Sequence, residues 1–215
     1  IVSRILEMLG GDEVCVESIS THIVNDPAVV GHILAAANAG ALGAGGRVDS
    51  VPQAILLLGI SRVRDITLAT AIIDRFKSVL PFNAQHLWLH SVGVAICAQD
   101  LARTAGLDVN AAYTAGLLHD IGQLLLVVFN PDAYARVLQA RGARDTDIVP
   151  IERELIGVDH AHVGGELARL WKLPEAVADA IAGHHVSDQN EPENEMADVV
   201  HIAEVLSHAL DLGGS

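Results

Sequence analysis

Apolar side chains recur every three or four residues along most of the chain, which is the spacing of one face of an α-helix. In one such run, Val63, Ile66, Ala69 and Ile73 fall on a single face. Glycine and proline separate the runs from one another. Residues 123–129 are rich enough in β-branched residues to be ambiguous, but the helical pattern continues through them. The sequence therefore predicts an all-α fold.

The helical pattern breaks at Pro81, Phe82 and Asn83, and we place a domain boundary there. We predict an N-terminal helical subdomain over residues 1–80 that packs on a C-terminal helical bundle over residues 83–215. Helices of the second half are predicted near residues 84–105, 109–129, 132–141, 147–157, 160–172, 174–184 and 195–211.

The formal net charge of −14 bears on which partners the chain can bind. An acidic surface repels phosphate backbones, so nucleic acid is not an expected partner. Residues 78–99 contain no Asp, Glu, Lys or Arg, but polar groups such as His86 and His90 favour a buried helix over a membrane span. Cys15 and Cys97 are expected to be reduced thiols. With no visible signal peptide, we predict a cytoplasmic protein, and the absence of an initial methionine suggests a fragment of a longer one.

Histidine is frequent in this chain, with 11 residues, and the strongest chemical signal is the adjacent pair His119-Asp120. The pair stands in an otherwise apolar helical run, where an imidazole and a carboxylate are costly to bury without partners. A divalent metal ion would neutralise the carboxylate and use the imidazole lone pair. Mixed nitrogen and oxygen ligands suit Fe, Mn, Ni or Zn better than Ca or Mg. The alternative is a helix cap or a hydrogen-bonded core pair.

Other histidines and one acidic residue extend this pair in a specific order along the chain. The order resembles that of the HD superfamily of metal phosphohydrolases, and of its HD-GYP branch in particular. The resemblance implies an HD-like C-terminal bundle that binds one or two divalent ions, with Glu204 as a further acidic candidate. The expected metal ligands are His90, His119, Asp120, His160, His184 and His185.

Shorter motifs in both halves resemble a narrower family, the HDOD domain. In the first half they are Asp26-Pro27-Ala28, Ala36-Ala37-Asn38-Ala39 and Val51-x-x-Ala54-Ile55-x-x-Leu58-Gly59. In the second half they are Gly157-x-Asp159-His160-Ala161-x-x-Gly164, Leu170-Trp171-x-Leu173-Pro174 and Ile181-x-x-His184-His185. Ordinary architecture explains most of the first-half residues. We expect Asp26-Pro27 to begin a helix, Asn38 to bond loop backbone and Leu58-Gly59 to end a helix.

The resemblance to HDOD domains implies a signal-output or scaffold role that uses helix-face contacts with receiver, kinase or cyclic-dinucleotide domains. Departures from the HD-GYP pattern favour the same conclusion. Gln123 stands where HD-GYP proteins have a lysine after the HD motif, and the Gly-Tyr-Pro loop after the double histidine is absent. His86 stands where a third metal would need a carboxylate. We therefore predict a non-catalytic regulatory module.

Three alternatives remain open at this stage. The chain could be a metal-dependent phosphohydrolase that acts on a nucleotide or cyclic dinucleotide, or it could bind a nucleotide without hydrolysing it. The histidine set could also be a hydrogen-bonded cluster that no longer holds a metal.

A modest basic cluster is predicted to be a solvated helix face and consists of Arg62, Arg64, Arg75 and Lys77.

Overall fold

A computed structural model describes residues 20–21, 23–25, 27–40, 48–76, 81, 83–144, 148–185 and 194–210. Within these ranges the regular structure is helical and no strand occurs, so the all-α prediction is confirmed. The chain divides into two compact units, residues 1–75 and 76–215. The subdomain limits of 1–80 and 83–215 stay a prediction.

The N-terminal unit contains helices α1 (Pro27–Gly40), α2 (Val51–Leu58) and α3 (Ile60–Phe76). Asn38 joins the end of α1 to the backbone that precedes α2. Its amide nitrogen donates to the carbonyls of Leu34 and Val48, and its Oδ1 accepts from the Val48 N–H, each at 2.8 Å. The predicted backbone role of Asn38 is thus confirmed. Helix α2 ends at Leu58, as expected, because Gly59 has a φ of 80°.

The C-terminal unit contains a longer series of helices. They are α4 (Ala84–Ala105), α5 (Val109–Leu118), α6 (Ile121–Phe129), α7 (Pro131–Arg144), α8 (Ile148–Ile156), α9 (His160–Leu170), α10 (Glu175–Gly183) and α11 (Glu195–Ala209). Helices α4, α5, α10 and α11 pack around one another, α9 packs against α10 and α6, and α7 packs against α8. This arrangement buries the apolar faces that the sequence pattern predicts.

Glycines allow several of these helices to touch backbone to backbone. A Cβ atom on Gly116 of α5 would lie 2.9 Å from Ala95 Cα of α4. A Cβ atom on Gly122 of α6 would lie 2.0 Å from the His160 carbonyl oxygen at the start of α9. Carbon and oxygen atoms do not approach this closely without a covalent bond, so the α6–α9 contact requires glycine.

The prediction of one continuous helix near residues 109–129 is wrong, because the helix breaks at the histidine–aspartate pair. Helix α5 ends at Leu118 and α6 begins at Ile121, and Asp120 has φ −94° and ψ 6°. The apolar spacing continues on both sides of the break, so periodicity alone does not reveal it. The break places His119 and Asp120 at a helix junction.

Hydropathy raises the question of a membrane span at the same place. Residues 109–129 are long and apolar enough to cross a membrane, but 78% of their apolar stretch is buried inside the protein, as in the core of a soluble protein. Residues 84–99 belong to α4, with Trp88 buried and His86 exposed. Cys97 is half-buried, and burial raises the pKa of its thiol.

Some predictions concern residues that the structure does not describe. Cys15, Asp26, Phe82, Lys77 and the side chain of Arg75 lie outside the described residues. Of the predicted basic cluster, Arg64 is exposed, as expected of a solvated helix face, and its Nε lies 3.5 Å from Asp65 Oδ1. Arg62 is only partly exposed, and its Nε is buried.

Candidate metal centre

Four separate chain segments bring the six predicted ligands together in the C-terminal unit. His119 and Asp120 form the α5–α6 junction, His160 begins α9, the turn after α10 carries His184 and His185, and His90 lies in α4. Neighbouring imidazole rings lie 4.1–5.4 Å apart between centroids. The predicted residues therefore converge on one pocket, and their binding of a metal stays a proposal.

The ligand atoms of the pocket form two adjoining groups, each with members within 4.8 Å of one another. One group contains Asp120, His160, His184 and His185. The other contains His90, His119 and Glu204 of α11, the acidic residue that the sequence pattern suggested. Asp120 lies between the groups, because its Oδ1 is 3.2 Å from His160 Nε2 and its Oδ2 is 3.4 Å from His119 Nε2.

Backbone carbonyls fix the tautomers of two buried histidines. His119 Nδ1 lies 2.8 Å from the Gly116 oxygen, and His184 Nδ1 lies 2.7 Å from the Ile181 oxygen. A carbonyl only accepts hydrogen bonds, so each Nδ1 must carry the proton. Neutral His119 and His184 rings therefore present the Nε2 lone pair to the pocket. This is the arrangement in which proteins hold histidine for a metal ion.

Among the described residues, two buried imidazole nitrogens of the pocket have no hydrogen-bond partner, His119 Nε2 and His184 Nε2. A neutral His119 also directs its lone pair at Asp120 Oδ2 across 3.4 Å, which sets two acceptors against each other. Two ligand atoms on one tetrahedral ion, at bonds of about 2.1 Å, stand about 3.4 Å apart. The donor set and its spacing therefore fit a metal ion better than a closed hydrogen-bonded cluster.

Glu152 of α8 completes the pocket and was missed in the sequence analysis. Its side chain is fully buried, and its Oε2 accepts from the His160 backbone N–H at 2.8 Å and from His160 Nδ1 at 2.7 Å. A carboxylate on the far nitrogen of a histidine orients the ring and makes it a stronger ligand. A sequence signal did exist, because Glu152 shares the apolar face of α8 with Ile148 and Leu155.

The pocket also sets the charge state of its members. Burial alone would lower the pKa of His160, but its hydrogen bonds to Asp120 and Glu152 raise it to about 10. Burial would raise the pKa of Asp120, yet the surrounding imidazoles, with the hydrogen bond from His160, hold it well below its usual range. Without a metal, His160 is thus an imidazolium between two carboxylates. An ion that binds its Nε2 must displace a proton, so metal binding would release protons.

Two other histidines are held in the neutral form that binds metals. Burial, followed by the neighbouring imidazoles, keeps the pKa of His184 well below its ordinary value. Burial and His119 together lower the pKa of His90 to about 4. Ser207 Oγ lies 3.5 Å from His90 Nδ1, and the His208 ring lies 4.7 Å from the His90 ring. The rings of His184 and His90 are therefore neutral, and able to bind a cation, at neutral pH.

Replacing Glu152 with glutamine is expected to weaken metal binding while the protein still folds. A glutamine carbonyl oxygen in the place of Glu152 Oε2 can still accept both His160 hydrogens, but the negative charge that strengthens the ligand is removed. Loss of such an outer partner typically costs about 10–100-fold in metal affinity. Equilibrium titration with Zn²⁺ against a competing chelator measures the change. Glu154→Gln, at an exposed position of the same helix, is the matched control. An unchanged affinity in Glu152→Gln would refute the role given to Glu152.

Comparisons with known proteins agree on the family. A profile of the HDOD domain matches residues 1–187. Three similar solved structures are a candidate phosphohydrolase from Shewanella amazonensis, an HDOD domain protein of unknown function from Geobacter sulfurreducens and the response regulator MmoQ from Methylococcus capsulatus.

The similarity to these structures extends over almost the whole chain. For the Shewanella protein the TM-score is 0.76 at 27% identity, with 98% of this chain and 76% of that chain covered. For the Geobacter protein the TM-score is 0.73 at 29% identity, with 99% of this chain and 72% of that chain covered. For MmoQ the TM-score is 0.52 at 29% identity, with 98% of this chain and 85% of that chain covered. The chain spans 36% and 14% of the lengths of the first two curated relatives that it matches.

Proposed function

Because the chain belongs to the HDOD domain family, we propose that it is a non-catalytic regulatory module whose histidine–aspartate pocket holds one or two divalent transition metal ions. It is related to the HD phosphohydrolases and acts by binding a protein or a small ligand. Two buried imidazole nitrogens without hydrogen-bond partners among the described residues, His119 Nε2 and His184 Nε2, carry the metal part of this proposal. Each would cost about 1–3 kcal/mol if it stayed unsatisfied.

The pocket residues have distinct tasks in this proposal. Asp120, His160, His184 and His185 hold one ion, and His90, His119 and Glu204 hold a second. The imidazole-rich donor set favours Fe, Mn, Ni or Zn. When bound, an ion supplies positive charge that neutralises Asp120 and connects the helices that carry the ligands. Glu152 holds the His160 ring in place throughout.

Regulation follows from the positions of the ligands along the chain. They come from α4, the α5–α6 junction, the start of α9, the end of α10 and α11, so a bound ion ties these elements together. Anything that binds only the folded form stabilises it, and the stabilisation grows with the logarithm of the ligand concentration divided by Kd. The metal would thereby hold the helix faces that meet a partner in one arrangement.

The surroundings of the pocket support binding without turnover. A hydrolase of this type needs a cation to steady the phosphate. Gln123 occupies the position of that cation, and its Oε1 accepts from the Tyr134 hydroxyl at 3.2 Å. In the part of the chain that the structure describes, no Arg or Lys side chain forms a hydrogen bond or ion pair with His119, Asp120, His160 or His184. This supports the proposal of a pocket with metal ligands but without phosphate ligands.

The partners we propose are receiver, kinase or cyclic-dinucleotide domains in the cytoplasm. The similarity to the response regulator MmoQ supports a signalling context. The net charge of −14 supports protein partners over nucleic acid.

The second candidate is a metal-dependent phosphohydrolase that acts on a nucleotide or cyclic dinucleotide. The complete set of candidate ligands favours hydrolysis, because the buried Glu152 still orients His160 as it would in an active metal site. The similarity to the candidate phosphohydrolase from Shewanella amazonensis points in the same direction.

One pair of measurements separates these functions. Metal analysis of the purified protein is expected to find a transition metal, and bis(4-nitrophenyl) phosphate is expected to show no turnover above the buffer rate. Turnover that Asp120→Ala abolishes would establish the phosphohydrolase instead. If the protein retains no metal after incubation with Fe²⁺, Mn²⁺, Ni²⁺ or Zn²⁺ and desalting, the metal part of the proposal is wrong.

A further inference from the structure

We propose that His185, His201 and Glu204 form an outer site for a divalent transition metal ion, from which the ion passes into the buried pocket. This inference rests on the proposed function, since it concerns how the pocket is loaded. His201 and Glu204 are three residues apart on α11 and so lie on the same side of that helix. Their ligand atoms and that of His185 all lie within 4.8 Å of one another.

His185 and Glu204 both belong to the outer site and to the pocket. His185 Nε2 lies 3.1 Å from His160 Nε2, and His185 Nδ1 lies 4.0 Å from Glu204 Oε2. The two nitrogens are on opposite sides of the ring, so a single imidazole faces both places. An ion held on the outer side therefore needs to travel only past this ring to reach Asp120 and His160.

The exposure of the side chains changes steadily along this route. His201 is exposed, His185 and Glu204 are 12% and 14% exposed, and His160 and His184 are 0% and 1% exposed. A hydrated ion cannot enter the innermost position without losing water, and a metal site needs an access path. Ligands that replace water one at a time lower this barrier. The net charge of −14 draws cations toward the protein.

The exposure of His201 is consistent with a weaker, transient outer site. Ligands of one tetrahedral ion stand about 3.4 Å apart, so the outer atoms must close around the ion. The exposed His201 side chain is free to rotate for this purpose. The buried pocket ligands, in contrast, are held by Glu152 and by backbone carbonyls. The ion should therefore rest longer in the pocket than in the outer site.

Cobalt uptake tests the proposal on the full chain. Protein stripped with EDTA is mixed with Co²⁺, uptake is followed by the visible absorption of bound cobalt, and the cobalt retained after desalting is counted. His201→Ala is expected to slow uptake about tenfold and to leave the retained cobalt unchanged. His201→Asp, which restores a ligand, is expected to recover most of the rate. His162→Ala, at an exposed histidine of α9, is expected to behave as wild type.

Each departure from this pattern has a definite meaning. Uptake by His201→Ala at the wild-type rate would overturn the outer site while the pocket stands. A loss of retained cobalt in His201→Ala would also overturn it, because His201 would then be a pocket ligand. If the wild-type protein retains no cobalt, the metal pocket itself fails and the loading role fails with it.

Discussion

Replacing Gly122 with alanine is expected to lower the free energy of unfolding by about 3 kcal/mol or more, the upper part of the range for overpacked cores. The added Cβ would lie 2.0 Å from the His160 carbonyl oxygen and 2.8 Å from the Gly164 nitrogen. Both are backbone atoms, so no side-chain rotation relieves the clash. Helices α6 and α9 must move apart, and the His160 ring moves with α9. Urea denaturation followed by circular dichroism measures the loss.

The control for this variant is Gly142→Ala in α7. Apart from the backbone of its own helix and its chain neighbours, no atom of the described residues lies within 4 Å of the position of a Cβ on Gly142. Alanine also favours the helix by up to about 1 kcal/mol over glycine. Gly142→Ala should therefore be neutral or stabilising. A stability of Gly122→Ala equal to that of wild type would show that α6 and α9 do not touch through their backbones.

Replacing Asp120 with asparagine is expected to abolish tight metal binding, with an affinity loss of more than about 100-fold. Outer partners of metal ligands are worth about 10–100-fold, and Asp120 is a ligand candidate between both groups of the pocket. Asparagine has the same size, and its amide N–H can donate to the His119 Nε2 that now lacks a donor. The variant should therefore fold. Competition titration with Zn²⁺ measures the affinity, and thermal unfolding checks the fold.

Asp132→Asn is the matched control, because Asp132 is exposed in the first turn of α7. Its affinity for Zn²⁺ should equal that of wild type. If Asp120→Asn bound Zn²⁺ as tightly as wild type does, the ion would lie elsewhere. The pocket would then be a hydrogen-bonded histidine cluster, the alternative that the sequence left open.

The sequence predicted the components of the candidate centre better than their local geometry. Apolar spacing identified the helices, and the order of His90, His119-Asp120, His160 and His184-His185 resembles a family whose members imply a common pocket. The same spacing predicted an unbroken helix through His119 and Asp120, which is wrong. Periodicity reports which face is apolar, and that face continues across the two-residue break without a change of pattern.

Glu152 shows why part of the centre escaped prediction. A lone glutamate on an apolar helix face does not reveal its hydrogen-bond partner. The partner of Glu152 is His160 at the start of α9, and only the packing of α8 beside that residue brings the two together. The sequence likewise does not specify which of the two nitrogen atoms of each histidine carries the proton. Only the positions of the Gly116 and Ile181 carbonyls establish that His119 and His184 turn their lone pairs inward.

Residue types and their order along the chain were thus sufficient for the helical class, which depends on local preference, and for the family resemblance, which implied the six expected histidine and aspartate ligands but not Glu152. The break at Asp120, the backbone contact at Gly122 and the orientation of each imidazole came from the folded arrangement alone. These features arise where segments distant in sequence meet, and the free energy of such a contact depends on atoms that no local pattern specifies.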